Sequence, residues 1–216
     1  MKIIILCGSK NHPIFPYIQK WVDDIPSEHT AELHTELDQI IGGDLLFAIS
    51  FLNLIPLDMR LKFKHTLVIH ASDLPFGKGW SPHIWQILSG QNDITVSLFE
   101  AADEIDGGDI WMKKILHLEG HELFDEINEK LFNIELELMN FARDNIGKIS
   151  PVAQKKDNYD KYLRRNPQDS KLNPEKTIAE QFELMRVADS KRFPCFFNFR
   201  NHRYKLILEK IEDEQD

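Results

Sequence analysis

His70 closes a short apolar run, 66–70, and an acid-rich loop with Asp103, Glu104, Asp106 and Asp109 lies further along the chain, around Gly107-Gly108. An imidazole passes protons near neutral pH and can donate a hydrogen bond to developing negative charge, and a neighbouring carboxylate orients it. Taken singly, each has a plainer reading: a strand-end histidine packed for structure, and a solvated hairpin loop. Other reactive residues offer less. His117 and His121 are four apart but match no ligand motif. Cys7 and Cys195 are too few for a disulfide framework or a cysteine zinc site, so no metal is expected. The turn Cys7-Gly8-Ser9-Lys10 follows a strand like half of a phosphate loop, yet it lacks both the dinucleotide and the Walker glycine patterns.

The elements that must position these residues read as α/β. Residues 2–7 form a β-rich core run, and Phe15, Ile18, Trp21, Val22 and Ile25 recur at helical spacing after it. Continuous apolar runs at 44–51 and 66–70 suit strands covered on both faces. The carboxyl edge of such a sheet is where ligand crevices form, and His70 falls there. Ser81-Pro82 predicts a helix with a hydroxyl cap and proline in its first turn, ended by Gly90. Strands are expected at 94–100 and from Asp109 onward, then a long helix over 122–145. A polar segment, 155–171, leads to a tail that reads as a helix capped by Asn173-Pro174, bearing Ile178, Phe182 and Met185. An aromatic hairpin around 200–203 follows.

Composition narrows the classes. A chain of 216 residues with a net charge of −9 can bury a full core and disfavours nucleic acid as a partner. The opening run is too short for a signal peptide, and no apolar stretch reaches membrane-spanning length, so a soluble, cytoplasmic protein is expected.

The segment HASDLPFGKGWSPHIWQI, beginning at His70, resembles without gaps the signature of the folate-dependent formyltransferases, roughly HPSLLPxYRGxxPxxWAI. DEIDGGDIW, residues 103–111, resembles that family's DxGxDTGDI loop, and YLRRNPQDSKLNP with the aromatic run beyond it is similar to the tail of the sugar N-formyltransferase branch. The resemblance implies a Rossmann-like formyltransferase core, shortened at its N-terminus, over 1–150, and a small helix-plus-hairpin tail over 151–216. It implies that His70 and Asp106 are catalytic and that 10-formyltetrahydrofolate is the formyl donor. The pterin end of that donor would lie between Phe51, Leu52 and Ile55 on one side and Ala102, Asp103 and Glu104 on the other.

Ser72, Lys78, Gly79 and Trp80 are the substrate-side candidates, with Trp80 a stacking face and Lys78 either a phosphate or carboxylate contact or a surface lysine. The sequence departs from the family at Val68, where an asparagine normally donates to the oxyanion; Asn53 and a backbone amide are the alternatives for that task. The short acidic chain and its tail point to an amino sugar acceptor, nucleotide-linked and of the 4-amino-4,6-dideoxy type, as in pseudaminic-type pathways, in place of initiator tRNA. Arg164, Arg165 and Lys78 would meet its phosphates. A homodimer is carried as an expectation; the alternatives are a noncatalytic module that binds folate or a sugar nucleotide, which Val68 suggests, and a formyltransferase acting on another small amine.

Overall fold

The computed structural model describes residues 1–155 and 161–211. The 156–160 part of the expected polar linker lies outside the described residues. Residues 2–7 are almost continuously isoleucine and leucine, and they form β1 (Lys2–Cys7), buried from Ile3 onward. β-branched side chains favour the extended backbone, and a strand apolar on both faces needs cover on both. The chain then runs through α1 (Phe15–Asp23), β2 (Thr30–His34), β3 (Leu45–Ile49), the four-residue α2 (Leu57–Arg60), β4 (His65–His70) and α3 (Pro82–Leu88). Next come β5 (Asp93–Glu100), β6 (Ile110–His117), α4 (Phe124–Asn145), α5 (Phe182–Arg186), and the hairpin β7 (Cys195–Phe199) with β8 (His202–Leu206).

Six strands form one sheet in the order β2-β1-β3-β4-β5-β6. β1 to β4 are parallel, whereas β5 and β6 join antiparallel. One face carries α1, α3 and α4 over a core that includes Ile5, Ile18, Trp21, Phe47, Leu67, Ile87, Leu131 and Leu138. The other face is thin: Leu6, Leu46, Ala48, Ile55, Met59 and Phe63 pack beneath short connections only. A three-residue 3-10 turn joins β2 to β3, and α2 alone joins β3 to β4, so the N-terminal half is abbreviated as expected.

One strand was not foreseen from the sequence, and two expectations change. β2 reads TAELH, with no apolar run; it forms because the exposed edge of β1 offers five residues of parallel pairing. Ser81 does precede α3, but it adopts φ 46° and its hydroxyl caps nothing, leaving Pro82 as the helix-starting residue. The tail helix is only five residues. The Asn173 side chain accepts from the Glu175 N–H to close a turn, and Ile178 stays exposed.

Arg186 ties the tail to the body. Its side chain is fully buried, donating through Nη2 to Asn92 at 3.0 Å and through Nε to Glu183 at 2.6 Å, while the adjoining Val187 enters the main core.

Two acids on α4 and its approach behave oppositely. Burial opposes charge on Glu122, yet the Lys130 ammonium and the N–H groups of Glu119, Glu122 and Gly120 hold its carboxyl down to about 2. Burial alone pushes the Glu135 carboxyl up to about 8. An acid whose folded value exceeds its ordinary value of 4.5 is destabilised relative to the unfolded chain as pH rises from 4.5 towards 8. Glu135→Gln is therefore expected to match wild type near pH 4.5 and to become more stable than it, by about 2–4 kcal/mol, at pH 8. Urea unfolding at the two pH values checks this.

Candidate active site

His70 is the last residue of β4 and shares a face with Val68. β5 runs back beside β4, pairing Ser97 with His70 and Glu100 with Leu67. The loop leaving β5 must then turn back along the sheet, and it does so until Asp106 meets His70. Asp106 sits at φ 54°, a left-handed conformation that aspartate tolerates better than bulky residues do. Gln154 fixes this turn by donating from Nε2 to the carbonyls of Asp106, at 3.0 Å, and Gly108, at 2.7 Å.

The His70 and Asp106 side chains are only 10% and 12% exposed, and His70 Nε2 lies 3.8 Å from Asp106 Oδ2. Between them runs the loop 77–79. His70 Nε2 is 3.0 Å from the Gly77 carbonyl, which can only accept, so Nε2 carries a proton. In the neutral ring Nδ1 is then the basic atom. The Gly79 N–H donates to Asp106 Oδ2 at 2.9 Å. One short loop thus holds the imidazole by a carbonyl and the carboxylate by an amide.

The other expected site residues divide. Lys78 is buried, with its ammonium 2.8 Å from Glu104, which makes it a strut between the two loops and no solvated surface lysine. Ser72 is buried beneath the loop, 1% exposed, with its hydroxyl unpartnered among the described residues. Trp80 is half-buried, and the Arg164 guanidinium lies 4.9 Å from its ring centroid, covering one face. Phe51 is half-buried, Leu52 is exposed and Ile55 is buried at the carboxyl end of β3; Ala102 is half-buried, while Asp103 and Glu104 are exposed. Asn53 is exposed in the same segment, and Val68 packs its side chain against the smaller core.

His83, in the first turn of α3, adds a second imidazole near His70. Burial first, then the charges of His70, His12 and Arg165, bring it down to about 4, so it is neutral at pH 7.

The start of the YLRRNPQDSKLNP segment, to which the sequence assigned no role at the site, completes the loop's support. Tyr162 pairs with Gly79 as a parallel bridge, donating to the Lys78 carbonyl at 2.8 Å and accepting from the Trp80 N–H at 3.1 Å. Its ring stacks on Trp85, 6.5 Å between centroids, and Trp85 Nε1 donates to the Leu163 carbonyl at 3.0 Å. Gly79 is obligatory here: at φ 105°, a Cβ would lie 2.4 Å from the Tyr162 oxygen. The signal was the aromatic pair Trp85 and Tyr162, distant in sequence. Tyr162→Ala is expected to lower turnover about 10-fold by loosening the 77–79 loop, and Tyr162→Phe to preserve it by keeping the stack; steady-state kinetics of both variants checks this.

The sheet, parallel over β1 to β4, brings a histidine and a carboxylate within 3.8 Å of each other at its carboxyl edge, where open α/β sheets form ligand crevices. The formyl transferase family profile matches residues 9–142, well over half of the chain, and the chain belongs to that family. Methionyl-tRNA formyltransferase of Rickettsia felis is 28% identical over 134 residues, covering 62% of this chain and 44% of that protein. The chain therefore spans less than half the length of the curated relatives it matches.

Among solved structures, methionyl-tRNA formyltransferase from Clostridium thermocellum superposes with a TM-score of 0.77 at 21% identity, covering 100% of this chain and 95% of the other. A 4-N formyltransferase from Francisella tularensis gives 0.72 at 18%, covering 97% and 98%. HypX from Aquifex aeolicus in complex with tetrahydrofolic acid gives 0.71 at 18%, covering 96% and 37%. These structures share the Rossmann-like formyltransferase fold with this chain. Among the described residues no helix is long and apolar enough to cross a membrane.

Proposed function

We propose that the chain is an N-formyltransferase that moves the formyl group of 10-formyltetrahydrofolate to the amine of an amino sugar, nucleotide-linked and of the 4-amino-4,6-dideoxy type. The observation that carries this reading is the meeting of His70 and Asp106 around the 77–79 loop in a formyl transferase fold. The neutral amine attacks the formyl carbon, a new C–N bond forms, and the former carbonyl oxygen becomes an oxyanion. The bond to the folate nitrogen then breaks, and the proton lost by the amine ends on that nitrogen. His70 takes the amine's proton at Nδ1, and the imidazolium so formed, with Nε2 still donating to the Gly77 carbonyl, stabilises the oxyanion before that proton passes to the folate nitrogen; Asp106 holds the imidazole in register. Val68 supplies no donor, so His70 carries more of this task than a histidine with an asparagine beside it.

A folate donor is supported by the family and by the tetrahydrofolate complex of the neighbour HypX. The fold shared with a sugar N-formyltransferase from Shewanella sp FDAARGOS_354, at a TM-score of 0.67 and 15% identity, supports a sugar acceptor, and the net charge of −9 argues against tRNA. Arg164, held beside Trp80, is the guanidinium best placed for the acceptor's phosphate; Arg165 turns instead to Ser170 and the Asp169 carbonyl. The missing donor at Val68 favours one second reading, a module that binds folate or a sugar nucleotide without turnover. Incubation with the donor and a panel of nucleotide-linked 4-amino sugars, followed by mass spectrometry for the formamide, separates the two: a formylated product supports transfer, and donor binding without any product favours the module.

A further inference from the structure

Arg60 touches neither His70 nor Asp106 in any contact described above, and its place on a four-residue helix in the thin face gives it no motif. Its side chain is only 14% exposed, and its guanidinium serves three acceptors. Nε donates to the Ile55 carbonyl at 3.1 Å, Nη1 to the Ala101 carbonyl at 3.1 Å, and Nη2 to the Asp103 carboxylate. Ile55 belongs to the segment after β3, whereas Ala101 and Asp103 belong to the loop after β5. A planar fork with five donors can bond acceptors diverging in this way at once; a lysine ammonium, a point charge on a flexible stem, cannot hold the same spacing. One side chain therefore fixes the separation of the two segments. It occupies one lone pair on each of the Ile55 and Ala101 carbonyls, and next to these anchor points the stretch 52–54 on one side and Asp103 and Glu104 on the other are exposed.

We propose that Arg60 is a positioning residue of the donor site, setting the slot between these two segments to the thickness of a flat heterobicyclic ring with an amide-like hydrogen-bonding edge, the pterin of the folate donor. The inference rests on the functional reading given above. An arginine acting on the slot affects the donor selectively, whereas one that merely supported the fold would affect donor, acceptor and turnover alike.

The experiment is equilibrium binding of tetrahydrofolate to the full chain, with steady-state kinetics in which donor and acceptor are varied separately, for wild type, Arg60→Ala, Arg60→Lys and Asp103→Asn. Arg60→Ala is expected to weaken tetrahydrofolate binding and raise the donor KM about 10-fold, with the acceptor KM and kcat at saturating donor within about 3-fold of wild type. Arg60→Lys recovers part of the loss. Asp103→Asn, which removes only an exposed partner, costs about 2–3-fold. If Arg60→Ala fails to fold, the selectivity of Arg60→Lys for the donor decides the matter. Variants that bind tetrahydrofolate as wild type does, or that lose kcat and both KM values together, overturn the role of Arg60 alone. A wild-type chain that does not bind tetrahydrofolate overturns the functional reading, and the Arg60 role with it.

Discussion

Turnover falls about 10²- to 10³-fold when His70 is replaced by alanine, with donor binding nearly unchanged. The size follows from what the imidazole does at this site. It is only 10% exposed, so water replaces it poorly, and Val68 beside it offers no second oxyanion donor. The hydrogen bond from Nε2 to the Gly77 carbonyl is lost with the ring, but the loop 77–79 keeps its bridge to Tyr162 and its grip on Asp106. The variant should therefore fold and bind while failing at the chemical step. Tetrahydrofolate affinity within about 3-fold of wild type, measured beside kcat, distinguishes this from a general collapse.

Gly108→Ala is expected to carry the largest stability cost of any single substitution considered. A methyl group at that position would sit 1.8 Å from the Glu100 carbonyl oxygen, so backbone must move. Glu100 has little room to yield: its carboxylate is 2.6 Å from His65 Nδ1 and 2.9 Å from Trp111 Nε1. The strain passes to the turn that presents Asp106 two residues earlier. About 2–3 kcal/mol of stability should be lost, and most of the activity with it. Gly90→Ala is the comparison, because a Cβ there meets nothing within 4 Å and only the cost of φ 86° remains, about 1 kcal/mol. Thermal unfolding of the two variants should rank Gly108→Ala well below Gly90→Ala; equal losses would mean that the contact with Glu100 is relieved without moving the loop.

The parts of this molecule that could be read from the sequence are those whose information is local. β1, β3 and β4 announce themselves as apolar runs, α4 as a sustained stripe, and the β7–β8 hairpin as aromatics around a polar turn. The pairing of His70 with Asp106 was legible only through the two motifs, because nothing local says that a loop leaving an antiparallel strand folds back across the sheet. β2 was not legible, since an edge strand takes its shape from the neighbour it pairs with and not from its own alternation. Arg60 and Tyr162 were missed for a related reason. Among their partners are Ala101 and Lys78, 41 and 84 residues away, bonded through backbone carbonyls that leave no trace in residue type, and the side chains they also meet, Asp103 and Trp85, are as distant. Lys78 was read as either a substrate contact or a surface lysine; it is buried, with its ammonium against Glu104, a partner that no local pattern announces.

The most direct test of the central claim is release of tetrahydrofolate from 10-formyltetrahydrofolate, with and without nucleotide-linked 4-amino sugars, for wild type and His70→Ala. The account predicts release that depends on an amine, matched mole for mole by a formylated sugar and lost in the His70 variant. Release that is independent of any amine, or turnover that survives the loss of His70, would contradict it.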